Sequence, residues 1–200
     1  MEIYLVRHTK PDVAKGICYG QADIDITETF YEEAAIIKQH LPGFVSTIYC
    51  SPLQRCSKLA QHLYPRHTIQ YHDELMEIDC GQWELQPWDN IDKTALQPWM
   101  NDLINVPIAD GESYSDLYER VNRKFNQIQQ QELPAVIVAH GGVIRSILSY
   151  ITSTPLIDSF KVFSLSYGCV IKLSKQEDGW KHQVLSNVAS EKETHKPTGF

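Results

Sequence analysis

Short apolar runs alternate with longer amphipathic stretches along the chain. Apolar runs at residues 3–6, 44–50, 68–71 and 135–139 predict buried strands. The stretches at about 27–40, 51–63, 114–131 and 141–150 repeat apolar residues at helical spacing and predict helices. Alternating strands and helices are typical of an α/β sheet with crossover helices, which is the fold class we expect.

Signals at the ends of these elements set their predicted limits. Thr27 is a plausible N-cap for the first helix, and Ser51-Pro52 is a start signal for the second. Residues 160–173 and 181–188 are predicted as closing strands joined around Asp178-Gly179.

The segment from about 78 to 110 lacks a clear period. Trp83, Trp88 and Trp99 fall within it, and only residues 94–103 suggest a helix. We interpret it as an irregular insertion that covers a substrate. With no repeat and no interior linker, residues 1–188 are predicted to form one domain, followed by a polar tail at 189–200.

Charge and composition exclude several classes of partner. The 200 residues contain 18 Lys and Arg against 25 Asp and Glu, a formal net charge of -7. Scattered basic residues on an acidic chain argue against nucleic acid and anionic membranes as partners, although a few arginines in one pocket can still bind a small anion. The amino terminus has no basic region, and its apolar run is too short for a signal or a membrane span, so we expect a cytoplasmic protein.

The cysteine pattern argues against disulfides and metal. Five cysteines are present, without a Cys-x-x-Cys pair, and we expect most of them to be buried apolar residues. The spacings of the cysteines and eight histidines match no zinc site. We therefore predict neither a metal nor another cofactor.

Two polar clusters directly follow predicted strands, where open α/β sheets place their ligands. Arg7-His8-Thr9 follows the strand at 3–6, and His140-Gly141-Gly142 follows the strand at 135–139. An arginine fork and the free N–H groups at a glycine-rich helix start both suit a phosphate. Taken singly, each cluster is more often a surface feature or a tight turn, and Arg55 alone is more often a solvated helix arginine.

The order of four motifs along the chain favours a functional site over these alternatives. The motifs are Leu5-Val6-Arg7-His8, residues 50–55, residues 75–84 and Val138-Ala139-His140-Gly141-Gly142. This series resembles the histidine phosphatase superfamily, in the branch of phosphoglycerate mutases and small phosphatases, over residues 1–188. The resemblance implies a phosphoglycerate mutase-like fold, a three-layer α/β/α sandwich with a mostly parallel central sheet and helices on both faces.

The resemblance also implies roles for individual residues. His8 would be the nucleophile that becomes phosphorylated, Glu77 the proton donor, and Arg7, Arg55 and His140 the holders of the phosphoryl oxygens, a chemistry that needs no metal. Glu112 and Ser113 would orient His8 or bind substrate. The full set of implied substrate-binding residues is Thr9, Tyr19, Gln21, Trp83, Glu112, Ser113 and Gly141.

Three positions depart from the family pattern around the phosphate. Thr9, Pro11 and Ala14 replace the usual glycine, hydroxyl residue and asparagine. Thr9 could supply a substitute hydroxyl. We expect the phosphate pocket to differ in detail around an intact centre.

The insertion suggests which substrate is used. Residues 78–110 contain Lys93 and no arginine, so they lack the extra cations that a mutase needs for a second anion and suit an aromatic or apolar leaving group. Residues 74–84, 111–121 and 160–169 resemble the α-ribazole phosphatase subfamily of cobalamin biosynthesis, which implies α-ribazole 5'-phosphate as the small-molecule substrate, its base stacking on a tryptophan. A broad-specificity phosphatase, a phosphoglycerate mutase and a non-catalytic phospholigand-binding domain stay open as alternatives, as does a homodimer.

Overall fold

A six-stranded mixed sheet forms the centre of the protein in a computed structural model that describes residues 2–131 and 134–188. The strands are β1 (Glu2–Arg7), β2 (Thr47–Cys50), β3 (Ile69–Tyr71), β4 (Ala135–Ala139), β5 (Val170–Gln176) and β6 (Gly179–Ser186). The helices are α1 (Phe30–Gln39), α2 (Gln54–Leu63), α3 (Lys93–Asn101), α4 (Tyr114–Ile128), α5 (Gly141–Thr152) and α6 (Ser159–Val162).

The strand order is β3-β2-β4-β1-β5-β6. The pairs β3–β2, β2–β4 and β4–β1 are parallel, whereas β5 and β6 add antiparallel strands at one edge. Because β1, β2 and β4 point the same way, the residues that follow them meet at one edge of the sheet.

Apolar residues cover both faces of the sheet, so the predicted three-layer α/β/α architecture is confirmed. Along β1, Ile3 and Leu5 pack into the core under α4 and α5, while Tyr4 and Val6 pack into the core under α1 and α2. All five residues of β4 are buried, as expected for a central parallel strand covered on both sides.

The segment between β3 and α4 is an irregular insertion with its own small core. Three short 3₁₀ turns and α3 surround Trp83, Trp88 and Trp99, whose ring centroids lie 5.4–6.1 Å apart. Cys18 packs into the same cluster from the loop after β1. This contact ties the insertion to that loop.

Several element boundaries differ from the sequence prediction. The predicted strand at 160–173 is wrong in its first part: residues 159–162 form α6, and β5 begins only at Val170. Thr29 rather than Thr27 stands at the N-cap of α1, and β2 begins at Thr47. The tail at 189–200 lies outside the described residues. All five cysteines are buried and free, as predicted.

Candidate active site

A cavity of about 300 Å³ opens at the edge of the sheet where β1, β2 and β4 end. His8 follows β1, Ser51 follows β2, and His140 follows β4. The cavity is lined by Arg7, His8, Ile17, Tyr19, Arg55, Glu77, Ile78, Trp88, Tyr114, Gly141, Gly142, Arg145, Phe160 and Leu165. Cationic groups and aromatic walls therefore face the same space.

The surroundings of His8 determine which ring nitrogen is basic. Its Nδ1 lies 2.6 Å from the carbonyl oxygen of Thr9, and the side chain is almost fully buried. A carbonyl can only accept, so Nδ1 carries a proton. In the neutral ring, Nε2 is therefore the nitrogen that holds the lone pair and can attack.

Two arginines bring positive charge next to His8. The Cζ atom of Arg7 lies 4.0 Å from the ring centroid of Tyr167, and its Nη1 donates to the carbonyl of Leu165. Arg55, at the start of α2, is fully buried, and its two terminal nitrogens donate to the carbonyls of Gly20 and Ala22. Within the described residues Arg55 has no carboxylate partner, and its buried Nε lacks a hydrogen-bond acceptor. A bound oxyanion would supply a negative charge for the guanidinium and an acceptor for its Nε.

His140 is completely buried beside His8, with 5.1 Å between the ring centroids. Its Nε2 lies 2.8 Å from Oγ of Ser51. Burial, reinforced by the charges of Arg55 and Arg7, holds the pKa of His140 well below its ordinary value. His140 is therefore neutral at physiological pH, so it contributes a dipole rather than a charge.

Glu77 reaches the cavity from the insertion. Its Oε2 accepts the Gly142 N–H at 3.0 Å, and its Oε1 accepts the Ile78 N–H at 3.0 Å. A Cβ atom at Gly142 would lie 2.2 Å from Glu77 Oε1. Glycine at this position is therefore what allows the carboxylate to rest against the first turn of α5.

A partly buried ion pair holds the backbone that carries Glu77. Arg120 on α4 bonds the Glu112 carboxylate through Nε (2.6 Å) and Nη2 (2.8 Å), and it also donates to the carbonyls of Glu74, Met76 and Glu77. Glu112 in turn accepts the Asp79 N–H at 3.0 Å. This arrangement clamps the chain on both sides of Glu77.

The structure divides the predicted site residues into two groups. His8, Arg7, Arg55, Glu77, Tyr19 and Gly141 line the cavity, with His140 directly behind. Thr9, Gln21, Trp83, Glu112 and Ser113 do not line it. Ser113 caps α4 in a reciprocal pair with Asp116, and Trp83 is enclosed in the tryptophan cluster.

Four residues that were not predicted as part of the site also line the cavity: Arg145, Trp88, Tyr114 and Phe160. Arg145 lies four residues after Gly141 on α5, and this i, i+4 spacing places both on one helix face. That spacing was a usable signal. The guanidinium of Arg145 stacks 4.8 Å from the Phe160 ring centroid, and its Nη1 bonds the carbonyls of Ser159 and Phe163.

Two further features concern metals and membranes. In residues 2–131 and 134–188, no three His, Cys, Asp or Glu side chains gather as a metal-binding group. No helix in the same residues is both long and apolar enough to cross a bilayer.

The fold and the site together define a class, an α/β protein whose cavity gathers a histidine, arginines and a carboxylate. The chain belongs to the histidine phosphatase superfamily, branch 1, whose family model matches residues 3–188. It is a phosphatase of the histidine phosphatase type.

Known proteins of similar sequence differ in their substrates. A Hydrogenobacter thermophilus protein named "Putative phosphoserine phosphatase 2" is 27% identical over 162 residues, covering 77% of this chain and 80% of the relative. A Caenorhabditis elegans 6-phosphofructo-2-kinase/fructose-2,6-bisphosphatase is 28% identical over 167 residues, which cover 77% of this chain and 35% of that protein. The similarity to that second relative thus spans about a third of its length.

The fold closely matches solved structures. The α-ribazole phosphatase from Shigella flexneri superimposes with a TM-score of 0.84 at 22% identity, covering 96% of this chain and all of that one. At this identity the likeness shows the common fold.

Proposed function

We propose that the protein is a phosphomonoesterase that hydrolyses a small-molecule phosphate through a phosphohistidine at His8. The observation that carries the proposal is the Nδ1–H of His8 donating to the Thr9 carbonyl, in the cavity that Arg55 and Glu77 also line. A histidine that only bound phosphate would not need its lone pair directed to Nε2.

The first chemical step forms the phosphoenzyme. Nε2 of His8 attacks phosphorus while the bond from phosphorus to the ester oxygen breaks. The departing oxygen takes a proton from the protonated carboxyl of Glu77, so a neutral alcohol leaves. The guanidinium groups of Arg7 and Arg55 stabilise the charge on the three equatorial oxygens.

The second step releases phosphate. The Glu77 carboxylate accepts a proton from water, whose oxygen attacks phosphorus. The bond between phosphorus and Nε2 breaks, so inorganic phosphate leaves, His8 regains its lone pair and Glu77 regains its proton. No metal ion enters either step.

Trapping the intermediate tests this mechanism. The wild-type protein, quenched during turnover of a ³²P-labelled ester, should carry acid-labile, alkali-stable label, and the His8→Ala variant should carry none. His67→Ala is the matched control, because His67 is exposed and does not line the cavity. Label retained by His8→Ala, or lost in His67→Ala, would contradict the assignment.

We propose α-ribazole 5'-phosphate as the substrate. The apolar and aromatic walls formed by Ile17, Ile78, Trp88, Tyr114, Phe160 and Leu165 support it, since they suit a flat aromatic leaving group. The resemblance of residues 74–84, 111–121 and 160–169 to α-ribazole phosphatases also supports it. Trp88 is the tryptophan on which we expect the base of the substrate to stack, because it lines the cavity.

Arg145 favours a second candidate, a phosphomonoester whose leaving group carries a carboxylate, such as phosphoserine. Among the described residues Arg145 forms no ion pair, and it lines the cavity. The insertion is poor in cations, but α5 supplies one to the cavity in Arg145.

A substrate panel separates the candidates. It should contain α-ribazole 5'-phosphate, phosphoserine, fructose 2,6-bisphosphate, and 3-phosphoglycerate with 2,3-bisphosphoglycerate. We expect the highest kcat/KM for α-ribazole 5'-phosphate. A higher value for phosphoserine selects the second candidate, whereas phosphate binding without turnover of any ester would indicate a non-catalytic binding domain.

A further inference from the structure

The Glu84 carboxylate, in the insertion, lies against the loop that follows β1. It accepts the backbone N–H groups of three consecutive residues, Gly20 (3.0 and 3.1 Å), Gln21 (2.6 Å) and Ala22 (3.1 Å). It also accepts the N–H of Cys80 at 3.1 Å. Successive N–H groups that converge in this way form an anion-binding nest, and here a side chain of the protein fills it.

The carbonyl groups of the same loop hold Arg55. Nη2 of Arg55 donates to the Gly20 carbonyl at 2.5 Å, and Nη1 donates to the Ala22 carbonyl at 2.8 Å. The loop thus binds a carboxylate through its N–H groups and a guanidinium through its carbonyls. Since Arg55 has no carboxylate partner among the described residues, these two carbonyls determine where its charge lies.

The loop has little freedom to move while Glu84 is in place. A Cβ atom at Gly20 would lie 1.8 Å from the carbonyl oxygen of Ile78, which shows how closely the loop approaches the insertion. The side-chain amide of Gln21 donates to the Glu77 carbonyl at 3.1 Å. One carboxylate therefore aligns a loop that touches both Arg55 and the backbone of Glu77.

We propose that Glu84 is a positioning residue for the phosphate site, acting on Arg55 through residues 20–22. The proposal rests on the proposed function, because it assigns Arg55 to the phosphoryl group. Without the carboxylate, the N–H groups that it satisfies must find other partners. The loop then shifts, and the guanidinium of Arg55 leaves its place with it.

A double-mutant cycle on phosphate affinity tests the coupling. The four proteins are the wild type, Glu84→Gln, Arg55→Ala and the double variant, each titrated with inorganic phosphate in a calorimeter. Glutamine keeps the shape of Glu84 but turns an acceptor oxygen into a donor that faces backbone N–H groups. We expect Glu84→Gln to weaken binding about 10-fold when Arg55 is present, since a hydrogen bond between charged groups contributes roughly 10-fold or more to affinity. In the Arg55→Ala background the loss should be less than about 2-fold.

Asp92→Asn is the matched control. Asp92 lies in the same insertion and accepts the Thr94 N–H at 2.7 Å as the cap of α3, with no link to Arg55. Its phosphate affinity should equal that of the wild type. An equal loss from Glu84→Gln in both Arg55 backgrounds, or no loss in either, overturns the proposal, as does wild-type protein that fails to bind phosphate.

Glu84→Asp covers the case in which Glu84→Gln does not fold. Aspartate keeps the charge but is one methylene shorter, so we expect intermediate affinity with the same dependence on Arg55. If both variants unfold while Asp92→Asn folds, Glu84 is structural and the proposal is wrong. Because binding is measured without turnover, coupling found in a protein that hydrolyses no ester would uphold the proposal and refute the proposed function.

Discussion

Replacing Gly142 with alanine displaces Glu77 while leaving the arginines of the cavity in place. The new Cβ would lie 2.2 Å from Glu77 Oε1 and 2.9 Å from Leu117 Cδ2. To reach a normal contact distance the carboxylate must retreat by about 1 Å. It then also loses its hydrogen bond from the Gly142 N–H, now 3.0 Å long.

The effects on rate and on stability should be of similar size in free energy. A displacement of about 1 Å at a reacting group can cost ~10²-fold, or ~2.7 kcal/mol of transition-state stabilisation. The lost charge-assisted hydrogen bond costs ~1.5–3 kcal/mol of folding stability, and the higher helix propensity of alanine returns up to ~1 kcal/mol. We therefore expect a net loss of ~0.5–3 kcal/mol of folding stability, or a decrease in Tm of roughly 1–12 °C.

Steady-state kinetics on two esters provide the assay. For an alkyl phosphate, whose leaving oxygen must be protonated, kcat should fall ~10²-fold, the lower limit of the usual contribution of a general acid. For p-nitrophenyl phosphate, whose leaving group needs no proton, the loss should be several-fold smaller. Gly43→Ala is the matched control, because a Cβ atom there would meet nothing within 4 Å and Gly43 does not line the cavity. Equal losses on both esters, or unchanged kinetics, would refute the role of Glu77 as proton donor.

Three further predictions follow from the same geometry. Arg120→Met should remove the hydrogen bonds that hold the chain around Glu77. It should lower kcat for alkyl phosphates more than for p-nitrophenyl phosphate and leave phosphate affinity unchanged. An equal loss of kcat on both esters would contradict this role of Arg120. Arg145→Met should lower kcat/KM for phosphoserine relative to α-ribazole 5'-phosphate by about 10-fold, as measured in the substrate panel, and an unchanged ratio would exclude a carboxylate contact at Arg145. The pKa of His140 lies below its unfolded value near 6.5, so below that pH the unfolded state binds a proton that the folded state does not. Urea unfolding should therefore show stability falling by up to ~1.4 kcal/mol per pH unit below pH 6.5, and His140→Asn should lower that slope by one proton; identical slopes would disprove it.

The sheet was predictable because buried strands have a strong local signal. The residues 135–139 are all apolar and form β4 with those bounds. Phe160, Phe163 and Leu165 gave a similar signal for a different reason: they are apolar because Phe160 and Leu165 line the cavity and Phe163 packs into the core under α5. Apolar character alone does not distinguish a strand from a cavity wall.

The candidate site was predictable where its residues directly follow a strand or lie in a compact motif. Arg7, His8 and His140 meet this condition. The environment of Glu112 could not be deduced in this way. Its partner Arg120 also donates to carbonyls that lie 43–46 residues before Arg120 in the sequence. Every residue has a backbone carbonyl, so a hydrogen bond to one does not require a particular residue type at the acceptor position. The sequence therefore does not reveal which charged side chains support the site.

The distribution of charge explains how an acidic protein can hold a phosphate. Three of the six arginines, Arg7, Arg55 and Arg145, line one cavity, and Glu77 is the one carboxylate among its described lining residues. A fourth arginine, Arg120, does not line the cavity and forms an ion pair with Glu112. Because the net charge of -7 is screened within about 10 Å at moderate salt, an anion that reaches the cavity interacts mainly with these groups. Attraction is thus confined to short range, where the shape of the aromatic walls also acts, so under the proposed function one cavity both binds the phosphate and selects the leaving group.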